Sequence, residues 1–353
     1  MAADFDPRHV HRLIQRARDD RAFPAAAIEV GHARGVYWQH AVGTLTYEAD
    51  APPCTVKTIF DLASLTKVIA TTSIAMHLLD RGSLRLDTTV AEILPTWRGP
   101  QREQVTVRQL LDHSSGLPAH ARLWEQARGR AEYERAIAAL PLEQEPGTKS
   151  LYSDPGFILL GFLIETASGR ALNASMVDLS TALDAGITYG PAAHLRDDIA
   201  PTEFDAWRGR MIQGEVHDEN AAALDGVAGH AGLFGDVASV GAFARCVLAT
   251  FDAVTALGPP ALMRTFATRT LVPDSTRAFG WDTMKATSSC GTRLSSTAIG
   301  HTGFTGTSLW IDRERDLYVV LLTNRVHPTR TNTALAALRP LVHDAVVEGL
   351  GRR

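Results

Sequence analysis

The chain has 353 residues, of which 45% are hydrophobic and 21% charged, with a formal net charge of −4. That length exceeds what one hydrophobic core usually serves, so two lobes, or one large α/β domain with an insertion, are expected, and the hydrophobic content is ample for a folded chain. An acidic balance leaves no basic footprint for nucleic acid, so the expected partner is a small-molecule or short-peptide substrate. Oligomeric state is not legible at this level.

From the N-terminus, the first twenty residues are charged throughout and lack the apolar stretch of a secretory signal. Val10, Leu13, Ile14 and Ala17 instead fall on one side of an amphipathic helix. No run of 18 apolar residues occurs, so no membrane span is expected, and the protein reads as cytoplasmic unless a longer natural chain directs it to the periplasm or outside. Three cysteines, Cys54, Cys246 and Cys290, without CxxC spacing indicate neither a disulfide framework nor a zinc knuckle.

A hairpin is expected next, with apolar Ala26 to Val30, a Gly-His-Ala-Arg-Gly turn, and Val36 to Val42. Residues 65–80 follow as a strongly apolar helix closed by Gly82. Val90 to Leu94, Val107 to Leu111, Arg130 to Leu140 and residues 157–168 are further helical pieces, punctuated by Pro and Gly. Leu309 to Ile311 and Leu317 to Leu322 repeat the hairpin pattern, and residues 332–349 return to helical periodicity. The fold class expected is α/β: an antiparallel sheet covered by N- and C-terminal helices, plus a mainly helical inserted lobe. The boundaries drawn are 1–82 with 228–353 for the sheet domain and 83–227 for the helical lobe, with the active site between them.

Lysine occurs only at positions 57, 67, 149 and 285, yet Lys67 stands inside the apolar run, three residues after Ser64. Placed at a helix start, the two side chains fall on one face one turn apart. A lysine in a dry pocket loses part of the stabilisation of its charged form, so a lowered pKa would let it take the serine proton. The Ser64 N–H at that helix start would then point at an oxyanion. Two further segments attract notice: Tyr152-Ser153-Asp154-Pro155-Gly156, a turn before a buried helix, and the run from Gly300 to Ser308, with glycines at 300, 303 and 306 opening the C-terminal hairpin.

The ordered set Ser64-Leu65-Thr66-Lys67, Tyr152-Ser153-Asp154 and His301-Thr302-Gly303 resembles the three motifs of the penicillin-recognising serine hydrolases, in the branch of class C β-lactamases, D-alanyl-D-alanine carboxypeptidases and related esterases. Phe60 to Ala63 and the segment LLDHSSGLP at 110–118 carry the same resemblance, which spans residues 20–350. It implies a serine β-lactamase/penicillin-binding-protein-like fold and hydrolysis of an amide or ester through an acyl-enzyme on Ser64, without a cofactor. D-alanyl carboxypeptidase-like or esterase activity is the main expectation; a class C-like β-lactamase and a penicillin-binding sensor that acylates without turnover are the alternatives. By position, Lys67 and Tyr152 become the coupled base, the N–H groups of Ser64 and Phe304 the oxyanion donors, and Asp154, His301, Thr302 and Gly303 the substrate-binding residues.

Two positions depart from the usual pattern. Asp154 replaces the common asparagine and could hold Lys67 charged, shifting base work onto Tyr152. His301 replaces a common lysine; near its ordinary pKa of about 6.5 it would gain charge as pH falls and then attract a substrate carboxylate. His217, Asp218 and His230 match no established metal spacing, so no metal is expected. His113 reads as a packing and hydrogen-bonding residue at a helix end.

Overall fold

The computed structural model describes residues 5–351. Six antiparallel strands form one sheet in the order Gly35–Gly43, Ala25–His32, Leu317–Thr323, Ser308–Asp312, Ile299–Thr302 and Asp282–Thr283. Both expected hairpins are therefore present, and the strands from the two ends of the chain lie side by side.

Period-2 alternation sends successive side chains to opposite faces of a strand. On one face Ala26, Ile28, Val30, Val319 and Leu321 pack against Val10 and Ile14 of helix Arg8–Asp19 and against Leu335, Leu338 and Val342 of helix Leu335–Gly349. On the other, Ala25, Ala27, Val320 and Leu322 join Val240, Phe243 and Val247 of helix Val237–Thr250. With both faces covered, Leu317–Thr323 is buried at every residue, which is why it reads as a continuous apolar run. The second face shares one apolar cluster with the helical pieces: Val68 and Ile69 lie in it together with Phe157 to Leu160.

The helical pieces are Val90–Ile93, Val107–Leu111, Gly129–Ala139, Asp154–Ser168 and Leu172–Leu183. Two local differences from the sequence expectation matter for the site. The apolar run after Ser64 opens as a π-helix over Lys67–Thr72 and becomes α-helical only at Ser73–Asp80. Hydroxyls in this run engage backbone groups: Thr71 Oγ1 donates to Gly229 O at 2.6 Å, and Ser73 Oγ to Val68 O at 3.1 Å. Helix Asp154–Ser168 begins three residues earlier than expected, because Ser153 Oγ accepts the Gly156 N–H at 3.0 Å and Pro155 suits the first turn. Asp154 thus stands at a helix N-terminus, where the aligned peptide dipoles favour a carboxylate. Among the described residues no helix is long and apolar enough to cross a membrane.

Candidate active site

Ser64 is positioned by a loop that the chain holds in an unfavourable conformation. Ala63 has φ of 46°, in the left-handed region that a Cβ disfavours. The buried Asp61 carboxylate supports it, accepting the Ala63 N–H at 2.8 Å and the His217 N–H at 2.6 Å. From the other side, Thr305 Oγ1 donates to Asp61 O at 2.7 Å and Thr307 Oγ1 to Leu62 O at 3.0 Å, tying the turn after His301-Thr302-Gly303 to the loop before Ser64. Gly303 sits where these backbones meet: a Cβ there would lie 2.0 Å from Thr307 Oγ1 and 2.7 Å from Leu62 O. Gly303→Ala is therefore expected to cost about 1–3 kcal/mol by overpacking and to lower kcat/KM, read by thermal melting and steady-state assay. Unchanged melting and turnover would show that the two loops are not locked together.

At the centre, Ser64 Oγ accepts from Tyr152 Oη at 2.9 Å and from Lys67 Nζ at 3.1 Å. The Lys67 ammonium also donates to Asp154 Oδ1 at 2.7 Å and to His230 O at 3.1 Å, and its side chain is 0% exposed. Burial acts against the Lys67 charge, but the adjacent Asp154 and Tyr152 more than offset it, so its pKa is raised. Of the two expectations for Lys67, the low-pKa amine of its apolar context gives way to the charged form expected from Asp154, which lies 87 residues away in the chain and keeps Lys67 an ammonium. Burial also pushes Asp154 up, yet Lys67, His120 and His230 hold it well below the usual carboxylate range. The Tyr152 phenol is raised, mainly by burial, with the Lys67 cation only partly opposing.

His301 behaves differently from the expectation as well. It is buried, its Nδ1 lies 2.9 Å from Thr302 O, and its ring centroid lies 5.9 Å from that of Tyr152. Burial first, then the neighbouring Lys67 and Arg277 cations, drive its pKa well below 6.5. His301 is neutral across the physiological range, and the charge expected of it near pH 6 does not arise. His113 is likewise held neutral, chiefly by burial; its Nδ1 accepts the Ser153 N–H at 3.0 Å and its ring packs on Tyr152, so it props the tyrosine segment.

Ser64, Tyr152, Asp154, His301, Thr302, Gly303 and Phe304 all line one cavity of about 740 Å³, with Lys67 buried beneath it. Phe304, half exposed, is flanked by the His217 ring and by the Arg325 and Arg330 guanidiniums. The same cavity is lined by residues that sequence reasoning missed: His120, Trp124, Arg277, Arg325 and Arg339. Only His120 had a nearby signal, standing two residues beyond the LLDHSSGLP segment. The arginines come from segments without a motif. Arg277 lies 5.1 Å from the Tyr152 ring centroid, and Arg339 Nη2 donates to Gly303 O and Thr307 O, both at 3.1 Å. Burial lowers the Arg339 pKa to about 10. Among the described residues none of Arg277, Arg325 and Arg339 forms a salt bridge. His217 and His230 are drawn into separate pairs, with Glu203 and Asp218, each at 2.8 Å.

Comparison with known proteins gives the family. The profile of the family described as Beta-lactamase matches residues 10–343. An Escherichia coli K12 protein with the provisional name D-alanyl-D-alanine carboxypeptidase is 30% identical over 77% of this chain and 70% of its own. The N-acetylmuramyl-L-alanine amidase of Bacillus subtilis strain 168 is 30% identical over 92% of this chain and 83% of its own. Among solved structures, EstCE1, a hydrolase with promiscuous acyltransferase activity, superposes with a TM-score of 0.78 at 20% identity, covering 96% of this chain and 98% of its own; at that identity the likeness concerns the fold. The chain belongs to the β-lactamase family of serine hydrolases.

Proposed function

We propose that the chain hydrolyses an amide bond in a small peptidic substrate bearing a carboxylate, through an acyl-enzyme on Ser64. The observation that carries this reading is Ser64 Oγ, within hydrogen-bond reach of both Tyr152 Oη and Lys67 Nζ at the floor of the cavity. Lys67 and Tyr152 act as one couple. Because both are raised, the resting couple is fully protonated, and the form lacking one proton, which grows with pH, takes the proton of Ser64 as its oxygen attacks the substrate carbonyl. The couple returns that proton to the leaving amine as the C–N bond breaks, and water then releases the acyl group as a carboxylic acid. The Ser64 and Phe304 N–H groups, neither of them used in a backbone hydrogen bond among the described residues, serve the oxyanion.

The carboxylate is assigned to the unpaired cations of the cavity, Arg277 first, with Thr302 and Gly303 forming the adjoining wall and His301 serving as a neutral neighbour. The names of the curated relatives, carboxypeptidase and amidase, support an amide over a simple ester. Substrate is proposed to enter between the sheet domain, 1–82 with 228–353, and the helical lobe, 83–227. A cytoplasmic setting is supported by three free thiols, Cys54, Cys246 and Cys290, and cell fractionation tests it.

Steady-state assays with a D-alanyl-D-alanine peptide, an N-acetylmuramyl-L-alanine amide, a short aryl ester and a chromogenic β-lactam test the reading. Turnover of an amide supports it. Turnover of the ester alone makes the protein an esterase, turnover of the lactam a β-lactamase, and a lactam burst without a steady state a trapping sensor. The ratio of kcat/KM for the carboxylate peptide to that for the ester is expected to fall about tenfold in Arg277→Gln, the loss of a charge-assisted contact. In His301→Gln the pH dependence of that ratio is expected to stay as in the parent, because His301 carries no charge to lose. A ratio insensitive to Arg277 would remove the carboxylate from that residue.

A further inference from the structure

The Lys67–Asp154 pair does not end at Asp154. Its second oxygen, Oδ2, lies 2.7 Å from His120 Nδ1, so one carboxylate bridges a fully buried lysine and a histidine whose side chain is 73% exposed. The bridge is built by backbone pairing. Asp154 N–H donates to Ala119 O at 3.0 Å and Ser153 Oγ donates to Pro118 O at 2.7 Å, which lays the segment ending at His120 alongside the start of helix Asp154–Ser168.

We propose that His120 is a positioning residue for this hydrolysis: through its hydrogen bond to Asp154 it sets how tightly that carboxylate holds the proton of Lys67. This rests on the assignment of Lys67 and Tyr152 as the base couple.

With His120 protonated, Asp154 shares its charge between two cations, and Lys67 releases its proton more readily. When His120 is neutral, the whole field of Asp154 acts on Lys67, and the couple is harder to deprotonate. Because the active form of the couple grows with pH, log kcat/KM should climb in two parallel limbs joined by a shoulder where His120 titrates. The hydrogen bond to Asp154 raises that titration above 6.5. An asparagine at position 154 would remove the carboxylate's share of the effect and leave only the direct repulsion between a protonated His120 and Lys67.

Other groups face the same carboxylate. His113 and His301 are held neutral chiefly by burial, and Arg277, over the Tyr152 ring, acts on both of them. Tyr152 stays protonated below its raised pKa, and Asp218 is lowered and stays ionised. His230 approaches Asp154 from the loop before Leu233 but is bonded to Asp218 at 2.8 Å.

The test is the pH profile of kcat/KM between pH 5 and 9.5 for a neutral ester, which removes any attraction between His120 and a charged substrate. His120→Gln, a neutral donor at every pH, should abolish the shoulder and follow the lower limb, falling about fivefold below the parent under acidic conditions, as for an exposed ion pair. His120→Lys, charged throughout, should abolish it in the opposite sense and exceed the parent above the shoulder. In an Asp154→Asn background the two substitutions should separate less, because only the direct repulsion between position 120 and Lys67 remains. Parallel profiles for the parent and both variants would overturn the proposal, as would a separation undiminished by Asp154→Asn. Near-normal kcat in a folded Lys67→Arg variant, measured alongside, would instead overturn the base couple on which the proposal rests, so the two failures are distinguishable.

Discussion

Ser64→Ala is expected to lose covalent labelling by a fluorophosphonate or a penicillin and to lower turnover by at least about 10⁴-fold, as when the nucleophile of a serine hydrolase is removed. The size follows from the geometry. Ser64 Oγ is the one atom on which Tyr152 Oη and Lys67 Nζ both converge, so without it the couple has no proton to move. The fold should tolerate the change, because Ser64 is only part-buried and the loop before it is held by Asp61, Thr305 and Thr307. Intact mass and peptide mapping of the labelled parent check the assignment; an adduct on another serine would remove Ser64 from the mechanism.

Lys67→Arg is expected to lower kcat by at least about a hundredfold, the lower end of general-base contributions and equivalent to about 2.7 kcal/mol. Arginine keeps the positive charge opposite Asp154 but does not give up a proton under any assay condition. It therefore separates the electrostatic role of position 67 from its acid–base role. Alanine would not, since removing one partner of a buried ion pair costs about 3–5 kcal/mol through the charge left behind. Because the guanidinium is larger and Lys67 is fully buried, thermal melting must show the variant folded before its kcat is read. Near-normal kcat in a folded variant would make Lys67 structural and leave Tyr152 as the base. In the parent, raised pKa values for both members place the activating titration on the alkaline side, so kcat/KM should still be rising above pH 8.

Much of the fold was legible because it is written in local periodicity. Apolar Ala26–Val30 and the segment Val36–Val42 around a glycine-bounded turn specify a hairpin, and the continuous apolar run Leu317–Leu322 marks a strand covered on both faces. The π turn at Lys67–Thr72 was not legible, because its hydroxyls reach partners in the Gly229 region, far away in the chain. Helix Asp154–Ser168 was read three residues short for a smaller reason: its polar first turn carries no apolar period, and only the Ser153 cap and Pro155 mark where it begins.

For the site, the sequence by itself determined which reactive groups exist and their order: a serine and lysine one turn apart, a tyrosine before a buried helix, and a glycine-spaced strand opening. Their charge states were decided by the tertiary structure, since for Lys67 the apolar context argued for a neutral amine and Asp154 for a charged one. A pKa depends on desolvation and on charges within a few ångströms, and neither is a property of neighbours in sequence. Lys67, neutral by its apolar context, is cationic because Asp154 lies 2.7 Å away; His301, titratable by its residue type, is neutral because it is buried beside Lys67 and Arg277. The arginines of the cavity wall, and His120 at the outer end of the Asp154 bridge, meet only once the sheet and the helical segments have packed together.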